Sequence, residues 1–189
     1  ILPIAAERII EANDALLISL AGRELLCLDT PGHARHHICI VDRKTNSIFT
    51  GDMFGLSYRE LDVDGRQFIF PTTTPTQFDP EEMRRSIDRL LAYRPEAMYL
   101  THYSRLDDVQ AQGGALLRRM DELVALARRE RSAGPDRHQR IKQACTEYLL
   151  AELRAHACNL PEKDLLALWE TDLELNTQGL EVWLDSLPA

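Results

Sequence analysis

Three short stretches of the chain carry side chains that bind metal ions. They are Thr30-Pro31-Gly32-His33-Ala34-Arg35-His36-His37, Thr50-Gly51-Asp52 and Leu100-Thr101-His102-Tyr103. Imidazole nitrogen and carboxylate oxygen are the usual protein ligands for zinc and for non-haem iron or manganese. A carboxylate can also bridge two ions, because it has two oxygens. Gly51 ahead of Asp52 removes side-chain bulk and lets the carboxylate approach an ion closely. Each stretch is weak by itself. Gly-Asp and Thr-Pro-Gly are common turn sequences, and a lone histidine at the end of a strand is ordinarily a polar loop residue. Their weight comes from position: each follows an apolar run that reads as a strand, so each side chain arrives at the rim of a sheet, where loops converge.

The elements that must position these residues are legible up to about Tyr103. Ala15 to Leu20 and Glu24 to Asp29 read as two strands joined by Ala21-Gly22-Arg23, a hairpin signal. Ile38 to Val41 and Ser47 to Thr50 form a second pair across the turn Asp42 to Asn46. Gln67 to Phe70 reads as a short strand. Asp79-Pro80-Glu81-Glu82 then announces a helix, with Asp79 as N-cap, Pro80 at the first helical position and Glu82 completing a capping-box pattern. Met83, Ile87, Leu90 and Leu91 give that helix one apolar face, and Pro95 stops it. Ala97 to Thr101 is a further strand and delivers His102.

Beyond this point the chain reads as helical. Leu116, Met120, Leu123 and Ala127 form one stripe, broken at Gly134-Pro135. Ile141, Cys145, Tyr148, Leu149 and Leu153 form a second, broken near Leu160-Pro161. Leu165, Leu168, Trp169, Leu173 and Leu180 suggest a third, interrupted around Asn176 to Gly179. Such stripes are the core or interface of a small helical bundle. The division expected is residues 1–105 for the mixed part and 106–189 for the helical region. An exposed apolar stripe would also serve a homodimer formed through the tail.

Taken in order, the motifs resemble the metallo-β-lactamase fold superfamily, most closely its glyoxalase II-like hydrolase branch. The matching pieces are TPGHARHHICIVD, SIFTGDMFG, FDPEEMRRSIDRLLAY and AMYLTHY. The resemblance covers about residues 1–105. It implies an α/β fold, the C-terminal half of an αββα sandwich followed by a helical appendage. It implies two divalent metal ions, with zinc expected ahead of iron or manganese. His33 then belongs to one ion, His102 to the other, and Asp52 to both. A hydroxide held by the ions would attack a thioester, ester, lactone or amide, with Asp52 as the catalytic group that sets their separation. His37 is expected behind the ligands, and His36 in a loop. Phe54, Tyr58 and Phe70 are candidates for the substrate pocket, although buried aromatics more often fill a core. The superfamily signature HxHxDH occurs nowhere in these 189 residues. The expectation is therefore a C-terminal portion whose missing half was lost by truncation or left unordered, inactive alone and binding metal weakly or not at all. A natural half-fold that pairs with another chain is the alternative. A non-catalytic interaction module and an iron-dependent persulfide dioxygenase are the competing functions.

Composition narrows the classes. The chain has 44% apolar and 28% charged residues, ordinary for a globular protein, and a formal net charge of −8. That acidity disfavours general nucleic-acid binding. No apolar run is long enough to cross a bilayer, and no secretory leader is visible. Cys27, Cys39, Cys145 and Cys158 form no CxxC pair and read as reduced, mostly buried thiols. The partner expected is a small-molecule substrate, and the compartment expected is cytoplasmic. His138 and His156 are expected to be solvated or to cap helices. No Lys and Arg cluster of the kind that would bind glutathione stands in the tail.

Overall fold

The structure is a computed structural model that describes residues 3–75, 77–102 and 104–188. It contains one six-stranded sheet in the order β1-β2-β3-β4-β5-β6. The strands are β1 (Leu17–Leu20), β2 (Arg23–Asp29), β3 (Ile38–Asp42), β4 (Ser47–Gly51), β5 (Ala97–Leu100) and β6 (Ser104–Leu106). Neighbours are antiparallel except β4 and β5, which run parallel. A parallel pair needs a crossover, and α1 (Pro80–Ala92) supplies it. Three more helices follow: α2 (Val109–Arg129), α3 (Arg137–Ala155) and α4 (Glu162–Ser186). No helix of the described residues is long and apolar enough to cross a membrane.

This topology brings three chain segments to one edge. β2 and β4 are both antiparallel to β3, so they point the same way, and β5 is parallel to β4. The carboxyl ends of β2, β4 and β5 therefore lie along the same rim. Residues 30–37, 52 and 102 follow those ends.

Local sequence explains most of the elements. Ala21 and Gly22 both take positive φ, 49° and 78°, as a two-residue hairpin between right-twisted strands requires. Asp42 closes the β3–β4 turn: it accepts from the Lys44 backbone and the Thr45 hydroxyl and pairs with Arg23. The Asp79 carboxylate accepts the Glu81 and Glu82 backbone N–H groups at 3.0 Å and so caps α1. The capping box is not reciprocal, because the Asp79 N–H donates to the Gly32 carbonyl at 2.8 Å and Glu82 pairs with Arg85. The cap thus straps α1 to the Pro31-Gly32 turn, and Ser86 reinforces it by donating to the Pro31 carbonyl at 2.6 Å.

Two expectations need correction. Gln67 to Phe70 is not a strand of the sheet; Phe70 makes only an isolated bridge to Leu56. Phe68, Ile69 and Phe70 are all fully buried, so the alternation of a half-buried strand is absent. The Gln67 and Ile69 carbonyls are taken by the Gln112 and Arg119 side chains of α2. The interruption expected at Asn176 to Gly179 is also absent, and α4 runs unbroken to Ser186. Asn176 and Thr177 are polar, yet they are buried and bonded: Thr177 donates back to the Leu173 carbonyl, and Asn176 bonds outside the helix.

One apolar cluster joins the sheet to all four helices. It contains Leu28, Val41 and Ile48 from the strands, Ile87 from α1, Leu116 from α2, Leu149 from α3 and Trp169 from α4. Arg119 is a buried charge inside it. Its guanidinium stacks over the Phe68 ring and pairs with Glu152, which offsets part of the cost of desolvation. Cys27, Cys39 and Cys145 are buried free thiols, and Cys158 is half-buried.

Candidate metal centre

His33, Asp52 and His102 meet at the rim. The Asp52 carboxylate stands between the two imidazoles: Oδ2 is 3.5 Å from His33 Nε2, and Oδ1 is 3.2 Å from His102 Nε2. Each histidine therefore faces a different oxygen of one carboxylate. Among the described residues, no group of three or more His, Cys, Asp and Glu side chains is arranged to hold one ion. The three side chains instead form two His–Asp pairs that share Asp52.

The local structure explains this placement. Gly32 takes a φ of 129°, and a Cβ there would run into the Met83 backbone at the start of α1. His33 is thereby seated tightly, at 8% exposure. Gly51 takes a φ of 54°, and a Cβ there would strike the His37 ring. His37 thus lies over Gly51. Its Nε2 accepts the Asp52 backbone N–H at 3.2 Å, and its Nδ1 faces the Thr30 hydroxyl at 3.0 Å. Burial pushes the His37 pKa down to about 4, so the ring is neutral and can accept that N–H. His37 holds the backbone of Asp52 and faces no ion. His36 is exposed and lines no part of the site.

Burial also lowers the His33 pKa, against the pull of Asp52 and of the Thr72 backbone toward the charged form. A neutral imidazole offers a lone pair. Asp52 Oδ1 is buried and makes no hydrogen bond of good geometry, although His102 Nε2 is close. A lone pair set against a carboxylate oxygen is unfavourable unless a proton or a cation lies between them. The spacing suits a cation. Two donors at zinc bond lengths from a tetrahedral ion stand about 3.3–3.4 Å apart, close to the 3.5 and 3.2 Å observed. The donor set of two imidazoles and a bridging carboxylate fits two divalent ions.

A cavity of 410 Å³ opens on these residues. Besides the three donors it is lined by Leu56, Tyr58, Thr72, Thr74, Leu168, Thr171, Asp172 and Leu175. Of the three aromatics expected there, Tyr58 is present. Phe54 and Phe70 are not: both are fully buried in the core, Phe70 between Tyr58 and Trp169. The wall they were expected to form comes from α4. The Tyr58 hydroxyl donates to Asp172 Oδ2 at 2.6 Å. Burial raises the Asp172 pKa, against that hydrogen bond and the nearby His102. The stripe of Leu168, Asp172 and Leu175 has helical spacing, and such a stripe reads as bundle core unless its acidic member is noticed. A larger groove of 750 Å³, between the Pro31 turn and the end of α4, contains none of the donors. Tyr103, the last residue of the third motif, lies outside the described residues.

His138 and His156 stand far from this chemistry. His138 bridges helices, facing Glu181 at 2.7 Å and Glu174 at 3.4 Å. It is therefore neither merely solvated nor a cap. His156 occupies the C-cap of α3 and packs on Phe68.

The sequence family described as the metallo-beta-lactamase superfamily matches residues 2–102, more than half of the chain and all three donors. The chain belongs to the metallo-beta-lactamase superfamily. Members of this superfamily are usually metal-dependent hydrolases. A metallo-beta-lactamase fold-containing protein of Sulfurisphaera tokodaii is 27% identical over 96 residues, which are 51% of this chain and 33% of that protein. A metallo-beta-lactamase family protein of Thermus thermophilus superposes with a TM-score of 0.54 at 19% identity, over 92% of this chain and 48% of that one. An archaeal superfamily protein from Sulfolobus tokodaii aligns at 24% identity with a TM-score of 0.48, over 60% and 40%. The chain thus spans about a third of the curated relative and less than half of either structure. The Thermus superposition shows the fold, and at 92% of the chain it extends into the helical region of this superfamily member.

Proposed function

We propose that this chain provides part of a dinuclear metal centre that hydrolyses a small carbonyl substrate of the ester, thioester, lactone or amide type. The observation that supports it is the pair of histidine Nε2 atoms set against the two oxygens of Asp52. His33 and Asp52 Oδ2 would hold one divalent ion, and His102 and Asp52 Oδ1 the other. Zinc is the expected metal, given nitrogen and oxygen donors and near-tetrahedral spacing. When bound, such ions activate water and polarise a carbonyl.

The residues of the chain do the rest. Asp52 sets the separation of the two half-sites. His37 and Gly51 fix the backbone from which Asp52 projects. Two donors per ion are fewer than a zinc site uses, so further ligands must come from water, substrate or other protein residues. Leu56, Leu168 and Leu175 offer an apolar surface for an acyl group. Thr72, Thr74, Thr171 and the Tyr58–Asp172 pair offer polar contacts that orient it. Among the described residues, the lining holds no lysine or arginine that would pair with an acid group of the substrate.

The test is metal analysis of the purified protein together with a panel of uncharged esters, lactones and thioesters. The expected result is about two zinc ions per complete protein and hydrolysis that chelation abolishes. Protein without metal and without hydrolysis would overturn the proposal. So would bound iron with oxygen uptake on a persulfide, in favour of oxidation. Titrated alone against a colorimetric zinc indicator, the 189-residue chain is expected to leave the zinc with the indicator.

A further inference from the structure

α4 also reaches behind the cavity. Asn176 is 3% exposed, and its side chain is committed to one segment. Its Oδ1 accepts the Thr73 backbone N–H at 2.7 Å, and its Nδ2 donates to the Pro71 carbonyl at 3.0 Å. The Thr73 hydroxyl donates to the Asn176 carbonyl at 2.9 Å. One turn further on, Gly179 lets the helix backbone approach the Thr73 carbonyl so closely that any Cβ would collide with it. Pro71 to Thr74 is thus held by a helix 103 residues away in sequence.

The two neighbours of Thr73 stand at His33. Thr72 lines the cavity beside it. The Thr74 hydroxyl donates to the His33 carbonyl at 3.3 Å. His33 Nδ1 makes no hydrogen bond among the described residues, so the direction of the ring depends on how the backbone that carries it is held. We infer that Asn176 is a positioning residue for His33: it fixes Pro71–Thr74 from behind, and the Thr74 hydroxyl of that segment holds the backbone from which the His33 imidazole faces Asp52. The alternative is an asparagine that only stabilises the fold. That alternative predicts lower stability with an unchanged His33.

The inference rests on the reading of His33 as a ligand, and the measurement is made without metal so that the two can fail separately. The 189-residue chain is labelled with 15N, and the histidine ring nitrogens are recorded by NMR. Asn176→Ala is expected to shift and broaden the His33 ring signals while those of His138 and His156 stay in place. Exchange of the Thr73 amide should become faster by about tenfold or more, since its buried N–H loses its acceptor. Leu149→Ala, a core change in α3 with comparable loss of thermal stability, should leave His33 where it is. If Asn176→Ala does not fold, Thr73→Val removes only the hydroxyl and should give the same shift at smaller amplitude. Unchanged His33 signals in the folded variant, or an equal shift in Leu149→Ala, would overturn the inference. Failure of the metal reading shows separately, as absence of bound metal in the analysis of the purified protein proposed above.

Discussion

The donor rim and the α4 wall serve one cavity but are built in opposite ways. At the rim, His33, Asp52 and His102 each follow the end of a strand, and Gly32 and Gly51 set the direction of the first two. In the wall, the working contacts are remote: Tyr58 meets Asp172 across 114 residues, and Thr73 meets Asn176 across 103. The rim concentrates chemistry in short stretches. The wall spreads shape and orientation over single residues of a long helix. Reactive atoms can therefore be conserved in a local motif while the space in front of them is set from elsewhere in the chain.

The sharpest way to break this contrast is Asp52→Ala. It removes the group shared by both half-sites, so metal-dependent hydrolysis by the complete protein should fall to background. The side chain is 29% exposed and bears no core packing, so thermal stability should change by no more than about 0.5 kcal/mol. An activity assay beside calorimetry checks both, and persisting hydrolysis would remove the rim from the chemistry. Trp169→Ala is the reciprocal experiment in the wall. The ring is fully buried against Phe68 and Phe70, and its loss should cost about 3–5 kcal/mol in a urea titration. A single shifted transition is expected because one core runs through sheet and helices; two transitions would show the wall folding apart from the rim.

Gly51→Ala sharpens the comparison within the rim. It forces a Cβ into a positive-φ position and against the His37 ring, which should cost about 1–3 kcal/mol. Zinc affinity of the complete protein should fall about 10–100-fold, because His37 would no longer hold the Asp52 backbone. Unchanged affinity, measured by competition with a chelator, would make His37 a packing residue. The smallest effect concerns the wall. His138 has its pKa raised, first by Glu181 and further by Glu174. A group whose pKa is higher in the folded state contributes its full stability below its unfolded value, about 6.5, and loses it as pH rises through the folded value. With 37% of the side chain exposed, solvent screening keeps the contribution below about 1 kcal/mol. Stability of the parent chain should therefore decline slightly from about pH 6.5 upward, and His138→Gln should flatten that slope.

The same contrast explains what the sequence could disclose. β2 to β5 and α1 were legible because the Ala21-Gly22 hairpin, the Asp42 to Asn46 turn, the Asp79-Pro80 cap and Pro95 are local signals. His33, Asp52 and His102 could be singled out because imidazole and carboxylate are the residue types that ion binding would need. Phe68 to Phe70 misled because three buried residues in a row look like a strand, whereas side chains from α2 took the Gln67 and Ile69 carbonyls. Asn176 to Gly179 misled because polar residues and glycine usually end a helix. Here they mark the face that grips Thr73, and no local pattern names a partner 103 residues away. Asp172 was hidden for the same reason, as one acid among many on a helix whose other residues looked like bundle core.

The gap between Thr73 and Asn176 also has a consequence during synthesis. A chain grows from its amino end, and domains tend to fold in that order. All three donors have emerged once His102 is made, but the helix turn that steadies His33 arrives only with Asn176 and Gly179. For that interval a nascent chain presents imidazoles and a carboxylate with no finished wall in front of them. The seating of His33 is thereby deferred to α4, and a ribosome that stops early in that helix would release a chain with His33, Asp52 and His102 present and the hold on Thr73 unmade.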